Sequence, residues 1–402
     1  MRVAALAVAA LCVASPLANA DAVSDWNELA CTWVADAKLP TPIAVRVLSI
    51  AHTAVYEAVN GITRKYPAQP RIQAAGDATV EAAVAAANRA TLANLLPAQA
   101  QAIENAYSSA LAAIPEGPAK AAGIAAGDAA AAAVLAERAA DGVTAQENYR
   151  PVTSAGVYVP TTVPAVPQWP ARKPWLMTIG SELRPGPPPA LTSETWTRDF
   201  AEIKTIGAKT GSTRTKEQTD IALFWEATLP SIYHGILRSV ADQAGRDITR
   251  NARLFAAATQ AMDDAVIAVF DAKYHYNFWR PITAIRNADI DGNDATERAP
   301  SWTPLVDTPM HPEYPCAHCI ISGTLGTVIQ SETGKDKLPK LVTTSYMIKD
   351  SERSWPTTEA FIKEVSEARI YDGVHYRNST EVGTAMGRKV GELAVNKHFA
   401  TP

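Results

Sequence analysis

Residues 77–96, DATVEAAVAAANRATLANLL, decide the fold class. Val80, Val84, Ala87, Thr91 and Leu95 recur at three- and four-residue intervals, the spacing that lines one face of an α-helix. Pro97 stops the run, because it has no N–H to donate and its ring clashes with the preceding turn. Most residues around the stripe are alanine, which loses no side-chain entropy in a helix and lets helices approach closely. The pattern repeats outward from this stretch. Thr41 predicts a cap with Pro42 at the first helical position, then a stripe of Ile43, Val47, Ile50, Ala54 and Ala58 that closes at Gly61. Further helices are expected at 98–114 and 118–141, then near 192–209, 215–228, 231–241, 247–280, 357–371 and 379–398. Period-2 strands and fixed-period repeats are absent. The expected fold is all-α, a helical-bundle protein.

Organisation follows from composition. Residues 21–150 predict an N-terminal helical scaffold, and residues 192–402 a C-terminal helical bundle. Between them, 151–191 is a proline-rich crossing segment that includes Pro185-Gly186-Pro187-Pro188-Pro189. Its tryptophans and Tyr158 give it apolar anchors that a flexible linker lacks. The whole chain has 402 residues, 47% of them hydrophobic and 19% charged, which rules out a mostly disordered polypeptide. A formal net charge of −4 argues against a nucleic-acid binder. Arg2, the apolar run 3–14 and Ala18-Asn19-Ala20 predict a signal peptide over residues 1–20 and a periplasmic or secreted protein beginning at Asp21. No membrane span is expected after its removal, since the most apolar later stretch, 119–136, is alanine and carries Asp128.

The chemistry collects in the last third. Lys273 and Arg280 lie seven residues apart, almost two turns, which would put both cations on one helix face. Two cations on one stripe repel unless an anion lies between them. Next comes His311-Pro-Glu-Tyr-Pro-Cys-Ala-His318, whose prolines place Cys316, Ala317 and His318 around the N-terminus of a following helix. Free N–H groups and the helix dipole favour an anion there, with His318 positioned to exchange a proton. Then Arg369 precedes His375 by six residues, about 240° on a helix, and Asp372-Gly373 offers the turn that brings them together. Asn378 and Glu381 read as a capping box for the last helix. Three cations, a helix N-terminus and two histidines suit a tetrahedral oxyanion such as phosphate or vanadate.

These motifs resemble those of the vanadium-dependent haloperoxidases, within the superfamily that includes type-2 phosphatidic acid phosphatases and bacterial acid phosphatases. The family pattern K-x6-R-P, P-S-G-H, S-R-x5-H stands here as Lys273…Arg280-Pro281, Pro315-Cys316-Ala317-His318 and Ala368-Arg369…His375. Residues 182–225 and 273–286, and the early His52-Thr-Ala-Val-Tyr-Glu-Ala-Val-Asn, look like the bacterial soluble branch. The resemblance implies an all-α fold with four-helix bundles. It implies that Lys273, Arg280, Arg369, Cys316 and the Ala317 N–H hold vanadate or phosphate. His375 would be the axial vanadium ligand, or in a phosphatase the phosphorylated nucleophile. His318 would be the acid–base residue, and His311 would lie beside the halide site.

Several residues depart from the pattern. Cys316 replaces serine, Ala317 replaces glycine and Ala368 replaces serine. Ser379 stands where the phosphatases carry an aspartate that orients the nucleophilic histidine, which argues against phosphotransfer. A thiol at Cys316 argues against a peroxidase, because peroxide oxidises it. Three function classes therefore stand: a vanadate enzyme using hydrogen peroxide to oxidise halide, which the whole-chain resemblance favours; a soluble phosphomonoesterase; and a non-catalytic oxyanion binder. Of the cysteines left after export, Cys31 is expected to bridge to Cys319. Three reduced, buried thiols or a Cys316–Cys319 bridge are the other arrangements.

Overall fold

The computed structural model describes residues 21–67, 72–228, 230–334, 337–349 and 351–399. The signal peptide expected over residues 1–20 lies outside them. Among the described residues the chain forms thirteen α-helices and one two-stranded antiparallel sheet, so it is all-α as expected.

Asp21 opens the first helix, α1 (Ala22–Asp36), accepting the N–H groups of Val23 and Ser24. The alanine-rich helices α2 (Thr41–Thr63), α3 (Val80–Leu95), α4 (Ala100–Ala112) and α5 (Pro118–Arg138) follow. Thr41 is the first helical residue rather than the cap: Pro40 takes the extended cap conformation, and no side chain bonds the free N–H groups. The helix also runs past Gly61 to Thr63. α5 alone among the described residues is long and apolar enough to cross a membrane. Here its inner face packs on α3 and α2.

After the crossing segment come α6 (Glu194–Ile206), α7 (Lys216–Phe224), α8 (Ser231–Ala241), α9 (Ile248–Tyr276) and the short α10 (Pro281–Arg286). Then α11 (Ala317–Thr333), strands β1 (Leu341–Thr344) and β2 (Glu352–Trp355), α12 (Thr358–Tyr371) and α13 (Arg377–His398) complete the chain. The small hairpin is not legible in the sequence, because two four-residue strands carry too little alternation to register.

α9 is the central post. It touches α2 on one side and α11 and α13 on the other, and one hydrophobic core runs from Val23 to Ala394 around it. α11 packs tightly along α13. Gly383, Gly387 and Gly391 recur every four residues along α13, and a methyl group at these positions would come within 2.6 Å of the Cys316 carbonyl, 2.1 Å of the Ile320 carbonyl and 2.6 Å of Thr327 Cβ. Only glycine permits that approach, which sets the position of the α11 N-terminus.

The crossing segment is strapped down by polar contacts. Arg172 donates to Asp141 at 2.8 Å and to Asp263 at 2.6 and 3.1 Å, deep in the core. Arg46 also pairs with Asp141, at 2.7 Å, and Trp175 Nε1 donates to Asp263 at 2.9 Å. Asp264 accepts the backbone N–H groups of Trp175, Leu176 and Met177. Farther along, Tyr158 N–H bonds Asn277 O and Trp279 N–H bonds Gly156 O, so the segment braces the loop after α9.

Candidate active site

Lys273 lies in the last turn of α9 with its ammonium group buried. It donates to the carbonyls of Pro312 at 2.9 Å and Glu313 at 2.8 Å, which leaves one of its three protons. The expectation that Lys273 and Arg280 share one helix face fails. Asn277 adopts a left-handed conformation with φ 48°, ends α9, and turns the chain so that Arg280 becomes the cap residue of α10. The buried Arg280 side chain still reaches the same region. Its Nε donates to His311 O at 2.9 Å and its Nη1 to Val374 O at 2.9 Å.

Arg369 is in the last turn of α12, and Gly373 at φ 85° makes the tight turn after it. His375 N–H returns to Arg369 O at 3.1 Å, so the turn read from Asp372-Gly373 does bring the two residues together. Arg369 Nη1 pairs with Asp372 at 2.9 Å and donates to Trp225 O at 2.9 Å, while its buried Nε has no partner. The capping box expected from Asn378 and Glu381 does not form. Asp199 of α6 accepts the Asn378 N–H at 2.7 Å instead.

The protonation of His375 can be read from its neighbours. Arg280 Nη1 lies 3.4 Å from Nε2, and a guanidinium only donates, so Nε2 carries a lone pair. The proton is then on Nδ1, which donates to Glu313 Oε1 at 2.8 Å. Glu313 is fully buried and also accepts the Tyr376 N–H at 3.1 Å. The same logic applies to the other imidazoles. His318 Nε2 donates to Ala227 O at 3.2 Å, leaving Nδ1 as a base. His311 Nδ1 accepts from Arg280 Nη2 at 3.0 Å, so its 3.2 Å contact with Pro312 O is not a hydrogen bond, and Nε2 carries the proton.

Burial is the largest electrostatic influence on the site and shifts its ionisable groups toward their neutral forms. Burial, then Arg280, holds Lys273 well below the usual ammonium range. Burial pushes Arg280 down to about 10. Burial and the neighbouring cations hold His311, His318 and His375 well below 6.5, so all three are neutral at pH 7. The carboxyls move the other way: burial raises Glu313 to about 7 and Asp372 to about 6, against the pull of Lys273 on the first and Arg369 on the second.

His311, Ala317, His318, Arg369 and His375 line one cavity of about 300 Å³. Lys273 and Arg280 lie behind its wall, bonded to the 311–313 loop. Cys316 differs from the expectation. It caps α11 by accepting the Cys319 N–H at 3.2 Å, and its sulfur is in a disulfide with Cys319 rather than free to donate to an anion. The expected Cys31–Cys319 bridge is therefore absent. Cys31 is a buried free thiol on α1, while Cys316 and Cys319, one helical turn apart at the start of α11, have Cα atoms 5.3 Å apart.

Residues 253–401 match the VCPO second helical-bundle domain. The structure superposes on a bacterial vanadium-dependent iodoperoxidase with TM-score 0.80 at 22% identity, over 94% of this chain and 96% of that one. The chain has the fold of the vanadium-dependent haloperoxidases. A holo-type bacterial vanadium-dependent chloroperoxidase gives 0.70 at 18% identity, over 89% and 92% of the two chains. The apo-type chloroperoxidase gives 0.69 at 18% identity, over 89% and 94%. No curated protein matches in sequence.

On this haloperoxidase fold, Glu313 is the site residue that the sequence conceals. It stands inside the His311–His318 motif, but its partner His375 is 62 residues away and no periodicity joins them. Glu226 and Tyr233, both at the cavity, carry no motif signal at all.

Proposed function

We propose that the protein is a vanadate-dependent peroxidase that uses hydrogen peroxide to oxidise halide. One observation carries this reading: three buried cations, a helix N-terminus and a neutral imidazole with an unprotonated Nε2 converge beside one cavity on a haloperoxidase fold. The residues fit an oxyanion. The buried Arg369 Nε without a partner is the orphan donor such a group satisfies, and Lys273 has a proton to spare. Lys273, Arg280, Arg369 and the Ala317 N–H at the start of α11 would hold the oxygens of vanadate, and His375 Nε2 would bind the metal. Bound vanadate would supply the Lewis-acid activation of peroxide. His318 Nδ1 would take the proton of the incoming peroxide, and the His311 Nε2–H would face the halide. Glu313 would keep the His375 proton on Nδ1, the role that outer carboxylates play for metal-bound histidines.

The disulfide supports the reading in two ways. It removes the thiol that peroxide would attack. It also agrees with export to an oxidising compartment, the periplasmic or secreted location expected from residues 1–20.

A phosphomonoesterase is the second reading, and Glu313 favours it. The carboxylate absent at Ser379 is supplied here from the 311–316 loop, so His375 Nε2 is oriented for attack on phosphorus as well. One assay separates the two. Purified protein is given hydrogen peroxide with iodide or bromide, and separately 4-nitrophenyl phosphate, each with and without added vanadate. The peroxidase reading predicts vanadate-dependent halide oxidation and negligible ester hydrolysis. Ester hydrolysis inhibited by vanadate, without halide oxidation, would replace it by the phosphatase.

A further inference from the structure

An oxidant made in the cavity passes the chain's own side chains before it reaches solvent, and sulfur is what it attacks first. The thiols are out of its reach. Cys316 and Cys319 form the disulfide, and Cys31 is buried and does not line the cavity. That leaves the thioethers. Among the described residues Met177, Met262 and Met386 are buried, whereas Met310 and Met347 are each 48% exposed. Of the two exposed ones, only Met310 lines the cavity. Met262 lines it too, but at 1% exposure its thioether is closed to attack. A sulfoxide there would also place an unpaired oxygen in a wall made of Val45, Val266 and Phe270. Met310 is therefore the thioether that combines access with position.

The backbone holds it there. Met310 is the corner of a three-residue turn, in which the His311 N–H bonds Pro309 O at 2.9 Å. Its own carbonyl accepts the Ala165 N–H at 2.7 Å, which ties the turn to the crossing segment. Pro309 and Pro312 restrict the chain on either side. The side chain thus stays at the rim, one residue from His311, which the proposed function places beside the halide.

We propose that Met310 is a self-modification site, whose thioether is converted to the sulfoxide by hypohalous acid leaving the cavity. The proposal rests on the peroxidase reading, which supplies the oxidant. The steps balance. Halide, hydrogen peroxide and a proton give hypohalous acid and water. The Met310 sulfur then gives up two electrons and gains the oxygen, and halide and a proton are released. In sum one peroxide and one thioether yield one sulfoxide and one water, and the halide is returned. The product turns an apolar rim residue into a polar acceptor, a change that methionine sulfoxide reductases reverse.

Met347 is the built-in control, because its exposure is the same and it lies off the cavity. Full protein with added vanadate is given hydrogen peroxide and bromide, or iodide if bromide is not turned over. Peptide mass mapping then follows the gain of one oxygen at each methionine. Excess N-acetylmethionine in solution intercepts any oxidant that has escaped. Met310 should be oxidised several-fold faster than Met347 during turnover, and should remain so with the scavenger present, while Met347 is protected. Leaving out vanadate should remove the Met310 modification. Hypohalite added from outside, without peroxide, should oxidise the two residues in step, and the scavenger should then protect both. If the scavenger protects Met310 during turnover as fully as Met347, or if the scavenger-resistant oxygen goes to Met262, the proposal is overturned. The function reading is scored on the same samples, by vanadate- and halide-dependent loss of peroxide. Halide turnover with Met310 unmodified removes the proposal and keeps the peroxidase; no halide turnover removes both.

Discussion

At the scale of single residues, the Glu313–His375 pair decides how the imidazole is presented. With Nδ1–H donated at 2.8 Å, Nε2 is fixed as the acceptor that faces the cavity. Glu313→Gln keeps the shape but can offer its NH2 group to Nδ1, which stabilises the wrong tautomer. We expect a fall of roughly 10–100-fold in vanadate affinity or turnover, with circular dichroism unchanged. Wild-type vanadate affinity in that variant would remove Glu313 from the account. The cysteines give a second residue-scale prediction. Peptide mapping without reductant should link Cys316 to Cys319, with Cys31 alkylated only after unfolding, as its burial requires. A linked Cys31 peptide would contradict the structure. Of this site, the cations and histidines were legible because their spacing is local and matches a known pattern. Glu313 was not, because a carboxylate that meets its partner through tertiary folding leaves no mark in spacing.

At the scale of elements, the position of the α11 N-terminus depends on the glycine stripe of α13. Gly387→Ala places a methyl 2.1 Å from the Ile320 carbonyl, on backbone that cannot yield cheaply. A loss of about 1–3 kcal/mol or more is expected in denaturant unfolding, together with weaker oxyanion binding, since His318 moves with the helix. A neutral Gly387→Ala would mean that the two helices are not held this closely. The crossing segment rests on Arg172. Arg172→Met leaves Asp141 and Asp263 short of their partner in the core, and about 3–5 kcal/mol of stability should be lost. Most of the helices were readable from apolar periodicity to within a few residues, but α1 and the short α10 were not read at all. Their ends were less so: a left-handed Asn277 stopped α9 four residues early, and Asp199, from another helix, took the cap of α13 that local residues were expected to supply. Both are tertiary decisions that a local pattern does not encode.

At the scale of the whole molecule, the buried His52 and the half-buried His398, both neutral, make the fold sensitive to acid. Burial, then Arg238, holds His52 down to about 3, and burial, then Lys397, does the same for His398. An unfolded chain binds these protons from about pH 6.5 downward and the folded chain does not. Their contribution is therefore present above pH 6.5 and is lost as pH falls toward 3. The midpoint of thermal unfolding should drop steadily across that window, and His52→Gln should flatten the decline. An unchanged slope in the variant would show that His52 is not neutral in the fold. The arrangement of α9, α11, α12 and α13 also brings Lys273, Arg280 and Arg369 together beside one cavity, with Asp372 paired to Arg369, and this concentration is the centre of the account.

Titrating vanadate into wild-type protein and the His375→Ala variant, followed by vanadium NMR and by peroxide-dependent triiodide formation on the same samples, tests that centre most directly. The account predicts stoichiometric binding and vanadate-dependent iodide oxidation in wild type, with oxidation abolished and binding weakened in a variant of unchanged helix content. Equal binding and turnover in the two proteins, or no vanadate bound by wild type, would contradict it.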